Sequence, residues 1–468
     1  MKRLVLSSLL LLPVVVAGAS ERPAQKSEVR LTTVPPSPFT DQIALDVRAA
    51  VRNGTDAAQA YDVIVYLDDE DGEHVLHRET VEVPARSAKG VYFRWPTRER
   101  AGQHRLIVVA RGADATCRAV ETIDVVKSDV PSLGRITGAW AGIVHFDDGE
   151  GERWNTDIRV MTDAQWRALI HDVHAIGMDT VVITQAFLNG NLRYGQHSME
   201  KDGFSGRALY PSKLFPEREL IASEDPIETV LASADALDMH VFLGVGIYAF
   251  FDFTPASLKW HIQVTDELYE RYGHHRSLYG WYVADECPGA LLSTDDENAQ
   301  IAEFFRGYRA HVRTITPEMP VMMAPNSFYM LKAEKGWAAI LRHLDILCPF
   351  GWNRMRKDDA QGDAVARRLQ QLCDEAGAHF WMDLEVFLAR RRPKPDPRYI
   401  GNPLWPRPIE EIVDELRQYP RFEKVLCFQY PGIMTAPEAA PRLGGDEAVK
   451  LYEDYRRLLE SATTNPSR

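Results

Sequence analysis

The chain has 468 residues, 45% hydrophobic and 26% charged, enough apolar material for two or three domains with large cores. Lysine and arginine number 54 against 67 aspartates and glutamates, a formal net charge of −13. That balance argues against a general nucleic-acid binder, because affinity for phosphate needs a basic footprint.

Lys2 and Arg3 precede the apolar run LVLSSLLLLPVVVAG, and Ala17-Gly18-Ala19 closes it. A charged start, an apolar stretch and an A-x-A site predict a secretory signal over residues 1–19, cleaved before Ser20, and hence a secreted or periplasmic protein. The run is short for a membrane span and Pro13 interrupts it, and no Cys follows to suggest a lipoprotein. No later stretch is apolar enough to span, so no membrane segment is expected after cleavage.

Residues 20–27 read as a polar linker. Residues 28–127 then carry seven short alternating segments, EVRLTTV, IALDVRAAV, AYDVIVYL, HVLHRETVEV, KGVYFRW, HRLIVVA and CRAVETIDVV. Turn signals such as Asn53-Gly54 and Asp71-Gly72 separate several of them. The pattern predicts an antiparallel β-sandwich of immunoglobulin or fibronectin type, an accessory module acting as spacer or binder. Asn53-Gly54-Thr55 matches a glycosylation sequon, but a hairpin turn accounts for it more simply.

From 128 to 462 the rhythm becomes strand, helix, strand, helix. The predicted strands cover 135–143, 179–187, 240–248, 278–286, 320–326, 344–352, 378–387 and 424–432. Thr162 to Gln165 forms a capping-box-like helix start, Gly177 a stop, and Asp225-Pro226 and Thr294 to Glu297 open later helices. Eight apolar strands alternating with helices predict an α/β fold, a (β/α)8 TIM barrel. A doubly wound open sheet is the alternative, but no GxGxxG or GxxxxGK[ST] loop occurs.

Five scattered cysteines, none in a CxxC pair, suggest neither a disulfide framework nor structural zinc. His171 and His174 share a helix face outside the barrel, and His274-His275 precedes strand four, so no metal site and no cofactor is expected. A GxSxG nucleophile elbow is absent.

The fourth strand, LYGWYVADE, ends in Asp285-Glu286, and the seventh, AHFWMDLEVF, contains Asp383 and Glu385. Barrel active sites gather where strands end, at the C-terminal mouth. Glu286 and Glu385 are therefore the candidate catalytic pair of a glycosidase. One carboxyl protonates the leaving oxygen while the other attacks the anomeric carbon, with retention at about 5–5.5 Å separation and inversion at about 6.5–9.5 Å. Alternation also lets Asp383 share the face of Glu385, so Asp285 and Asp383 stand as alternative carboxylates.

These acidic ends on strands four and seven resemble the large clan of retaining (β/α)8 glycosidases, and GWYVADE is similar to the GWQxDNE-type strand of β-galactosidases. The run MTDAQWRALIHDVHAIGMDTVVITQ, followed by ALYPSK and GWYVADE, resembles more closely a family of secreted barrels catalogued as a domain of unknown function near the glycosidases. The resemblance implies that Glu286 is the general acid/base and Glu385 the nucleophile. The clan usually has Asn before its acid/base Glu, where it bonds the sugar 2-OH; this chain has Asp285.

Sugar sites need aromatic faces and orienting polar groups. Strand ends supply candidates for substrate binding: Trp140, His145, Gln185, Tyr248, Tyr282, Asn326, Trp352, Asn353, Gln429 and Tyr430, together with Asp285 and Asp383. One long loop carries Tyr194, Tyr210 and Phe215, while the loop from Ala389 to Pro406 carries Arg390, Arg391, Arg392 and Lys394. Those cations suit a uronate, sulfate or phosphate, although a solvated Pro-rich loop with no ligand is the simpler reading. The expected function is glycoside hydrolysis on a carbohydrate partner. A non-catalytic glycan-binding barrel is the alternative, and a lyase would need Tyr430 or Tyr248 as base close to Glu286.

Overall fold

The computed structural model describes residues 26–113, 115–188, 204, 206–215, 217–246, 253–283, 286–292, 294–394, 396 and 401–464. Among them no helix is long and apolar enough to cross a membrane. Among the described residues no cysteine is in a disulfide, and four of the five are buried.

The N-terminal part holds two sheets. One joins Glu28–Val34, Ala44–Arg52 and Ala88–Pro96 in antiparallel register. The other orders Phe39–Thr40, Thr116–Val126, Gly102–Arg111, Gln59–Leu67 and Val75–Val83, and only the short first strand pairs in parallel. Leu45, Val47 and Val51 from the first sheet share an apolar cluster with Val63, Val65 and Val108 from the second. The turn at Asn53 is not the expected hairpin, because the strands it joins, Ala44–Arg52 and Gln59–Leu67, lie in different sheets. It is a brace whose buried side-chain amide donates to the carbonyls of Ala57 (2.8 Å), Val83 (3.0 Å) and Pro84 (3.2 Å). An amide so committed has no room for a glycan.

Ala44–Arg52 is buried on both faces, unlike an ordinary sandwich strand, because its polar face docks on the barrel. Arg48, 2% exposed, spans Asp46 (2.7 Å) and Asp345 (2.9 Å). Burial alone would raise the Asp345 carboxyl, but Arg48 and Arg309 hold it well below the usual carboxylate range. The barrel residue Tyr279 donates to the Thr33 carbonyl at 2.6 Å, and Val34, fully buried, joins the cluster inside the barrel. Tyr92 and Arg94 reach the carbonyls of Pro317 and Gly377, which lie in loops leading into strands. The N-terminal sheets therefore press on the end of the barrel where strands begin, opposite the mouth.

The barrel sheet comprises nine parallel strands: Gly138–Trp140, Thr180–Ile183, His240–Gly244, Leu278–Val283, Val321–Met323, Ile346–Leu347, His379–Phe380, Met382–Glu385 and Val425–Phe428. The last pairs back to the first, and the two free ends, His379–Phe380 and Met382–Glu385, are separated in sequence by Trp381 alone. The sheet is thus a nearly closed barrel. Its strands are shorter than the predicted runs, Gly138–Trp140 and Ile346–Leu347 at both ends. Inside, Phe242 meets Trp381 edge-to-face at 5.9 Å, with Val182, Met322 and Ile346 filling the same layer.

Local signals set the surrounding helices. Thr162 and Thr294 close true capping boxes with Gln165 and Glu297, starting Asp163–Ala175 and Asp295–Ile315. Asp225 accepts from the Glu228 amide ahead of Pro226–Leu237. Gly377, at φ 73°, ends Gly362–Ala376 in the left-handed conformation that favours glycine.

Candidate active site

Glu286 and Glu385 line one cleft of about 380 Å³ at the barrel mouth, together with Glu150, Tyr282, Asn353, Arg354 and Asp383. Phe146, Phe350, Phe387 and Phe428 supply apolar wall. Glu385 is the last residue of Met382–Glu385 and only 3% exposed. Its carboxylate accepts three charge-assisted hydrogen bonds from Arg354, Nε to Oε2 at 2.8 Å, Nε to Oε1 at 3.0 Å and Nη2 to Oε1 at 2.6 Å. The Arg407 guanidinium donates to the Glu385 carbonyl at 3.0 Å and also pairs with Glu415, so backbone and side chain are both fixed.

Glu286 stands three residues past its strand, partly screened from water by the cleft walls. Burial raises its pKa from 4.5 to about 7, Glu150 and Glu385 push the same way, and Arg354 opposes them. Two carboxyls in one cleft therefore have different settings. One is clamped by a guanidinium, the other holds its proton near neutrality.

Glu150 lies in a loop that the sequence reasoning passed over. Asn155 pins that loop by accepting from the His145 amide at 2.8 Å and donating to the His145 carbonyl at 2.9 Å. The buried His145 ring contacts the Glu150 carboxylate at 3.0 Å, so His145 supports the cleft through Glu150 rather than lining it. Asp383, 4% exposed, lines the cleft floor, and its Oδ1 has no hydrogen-bond partner among the described residues. Burial, then Glu385 and Glu286, hold its carboxyl well above the usual range.

Of the residues chosen from sequence, Glu286, Glu385, Tyr282, Asn353 and Asp383 line this cleft. Trp140 lies beneath it, edge-on to Tyr282 at 5.8 Å. Gln185 is buried and donates to the Val144 carbonyl at 3.0 Å, and Gln429 donates to the Pro431 carbonyl at 3.1 Å. Asn326 braces a loop by accepting from the amides of Gly289 (2.9 Å) and Phe328 (3.1 Å).

Trp352 and Tyr430 turn away from the cleft. After Gly351, at φ 83°, the chain swings the Trp352 indole onto Tyr419 and Phe422, both 5.2 Å away. Tyr430 packs against Tyr452 in the outer layer. In both strands the cleft takes the aromatic two residues earlier, Phe350 and Phe428. Tyr210 and Phe215 are likewise buried: Tyr210 donates to Glu267 at 2.6 Å and Phe215 stacks on Phe187 at 4.5 Å. Tyr194, Tyr248 and Asp285 lie outside the described residues.

Arg354 and Glu150 were within reach of sequence reasoning. Arg354 follows Asn353 directly at the end of strand six, and Glu150 sits in the acidic run after His145. Away from the cleft, Glu228, His274 and His275 form the one group of potential metal ligands among the described residues. His275 there contacts Asp235 at 2.7 Å and Glu228 at 3.1 Å, and these carboxylate contacts account for its position.

Residues 136–441 match the family model described as Domain of unknown function (DUF4434). The beta-glucuronidase of Sus scrofa is 30% identical over 190 residues, 37% of this chain and 27% of that enzyme. The beta-glucuronidase of Canis lupus familiaris is 31% identical over 105 residues, 22% of this chain and 14% of that enzyme. This chain thus matches about a quarter or less of the length of these relatives. A GH2 beta-galacturonidase from Eisenbergiella tayi aligns over 92% of this chain and 71% of its own, at 12% identity and a TM-score of 0.39.

Proposed function

The chain belongs to the family of Domain of unknown function (DUF4434), and we propose that it is a glycoside hydrolase of retaining mechanism built on a (β/α)8 barrel. One observation carries the two-carboxylate assignment: Glu286 and Glu385, from the ends of two different strands, share one cleft, the first raised in pKa chiefly by burial and the second held by the Arg354 guanidinium. The partial likeness to beta-glucuronidases is consistent with it.

In this mechanism the Glu385 carboxylate, aimed by Arg354, attacks the anomeric carbon as the glycosidic bond breaks. Glu286, held protonated near neutral pH, passes its proton to the departing oxygen. A covalent glycosyl–Glu385 ester results. Glu286, now a carboxylate, then takes a proton from the water that attacks this ester, and the sugar leaves with its configuration retained. Asp383 and Asn353 are placed to orient hydroxyls, and Tyr282, Phe350 and Phe428 to face the ring. The charged, apolar N-terminus supports a secreted or periplasmic location, and the partner is a carbohydrate.

The test is hydrolysis of an aryl-glycoside panel that includes uronides. Wild-type turnover is expected on at least one member, with Glu286→Gln slowing it by about 10²–10⁴-fold. Turnover unchanged in both Glu286→Gln and Glu385→Gln would overturn the assignment.

A further inference from the structure

Phe387–Ala389 pairs antiparallel with Leu404–Pro406 to form a hairpin beside the cleft. Phe387, Leu388, Ala389 and Leu404 line the cleft itself. Just beyond, the same hairpin opens a second, shallower pocket of about 640 Å³, whose lining includes Arg390, Arg391, Lys394 and Trp405 together with the carboxylates of Glu152 and Asp396. In a chain of net charge −13 this is a concentrated basic surface.

Its charges are unevenly satisfied. Arg392 is neutralised by Glu152 at 2.7 Å and also donates to the Gly149 carbonyl at 2.9 Å, so it serves the loop. Arg390, Arg391 and Lys394 have no carboxylate partner among the described residues and are exposed. Trp405 carries two guanidinium groups, Arg153 at 3.8 Å and Arg390 at 4.4 Å from its ring. Burial first and then the neighbouring Arg390 lower the proton affinity of Arg153, against the pull of Glu447. Arg153 is itself paired with Glu447 at 2.7 Å, so the exposed cations that an anion in this pocket would meet are Arg390, Arg391 and Lys394.

We propose that this pocket is an anion-binding subsite that receives a carboxylate or sulfate group of a polyanionic glycan while a neighbouring sugar occupies the cleft. The inference rests on the glycosidase reading and extends it to a substrate class, an acidic oligo- or polysaccharide. A glycan is favoured over nucleic acid because the patch is local, continuous with the cleft through one hairpin, and set in an otherwise acidic protein.

Binding to the full chain is measured by calorimetry with four probes of similar length: a polygalacturonate oligomer, a dextran sulfate oligomer, a neutral dextran oligomer and single-stranded DNA. Binding of either acidic glycan, weakened by added salt, is expected, and whichever binds more tightly identifies carboxylate or sulfate as the source. Arg391→Glu/Lys394→Glu should weaken it by roughly tenfold or more. Arg391→Gln/Lys394→Gln, which adds no repulsive charge, should weaken it less, and thermal melts verify that both variants fold. Unchanged affinity in the variants, no binding of either acidic glycan, or equal binding of neutral dextran or DNA would overturn the proposal. No turnover is involved, so a failed hydrolysis assay and a failed binding assay speak to different claims.

Discussion

Replacing Glu286 by Gln keeps the shape of the side chain and removes its titration. The wild-type carboxyl has an ordinary pKa of 4.5 and about 7 in the folded protein, chiefly through burial. Between those values the folded chain holds a proton that the unfolded chain has released, so wild-type stability falls as pH rises. The loss is absent below 4.5 and complete above 7. Each tenfold change in proton affinity is worth about 1.4 kcal/mol, so the full swing is roughly 3 kcal/mol. Urea midpoints for wild type and Glu286→Gln between pH 4 and pH 9 read this directly and require no substrate. The variant should gain on the wild type by roughly 3 kcal/mol across that range. Parallel stability curves, with no change in their separation, would refute the claim that Glu286 is held protonated by its setting.

Glu150→Gln removes one of the charges that raise Glu286, so the alkaline limb of the pH–kcat/KM profile should move to lower pH; an unmoved limb would contradict that coupling. Arg48→Ala strands Asp345 and Asp46 in the buried contact between sheets and barrel, and should cost about 3–5 kcal/mol in chemical denaturation, with Arg309 as the partial remedy. Trp352→Ala should cost about 3–5 kcal/mol in stability through loss of packing on Tyr419 and Phe422, with KM for a substrate little changed.

Much of the architecture was legible because it is written in local patterns. The capping boxes at Thr162 and Thr294, the first strand Glu28–Val34 and the apolar runs of the barrel all follow from residue order alone. Strand alternation also served to put Asp383 and Glu385 on one face. It failed at Trp352 and Tyr430, where the backbone leaves the strand and the period of two no longer applies. The role of Glu150 depends on a loop folded by Asn155, and the Arg354–Glu385 pair joins residues 31 apart in sequence. Neither contact has a local signature. The alternating strands of the N-terminal sheets read as an accessory module, and what they do not disclose is how Arg48 and Thr33 tie those sheets to the barrel through partners hundreds of residues away.

The central claim, that Glu385 is the nucleophile and Glu286 the acid/base, is tested most directly by Glu385→Gly with azide on an activated aryl glycoside. The variant should be inactive alone and regain turnover with azide, giving a glycosyl azide of inverted configuration, while the wild type releases sugar with retention. Turnover by Glu385→Gly without azide, or an inverted wild-type product, would contradict the assignment.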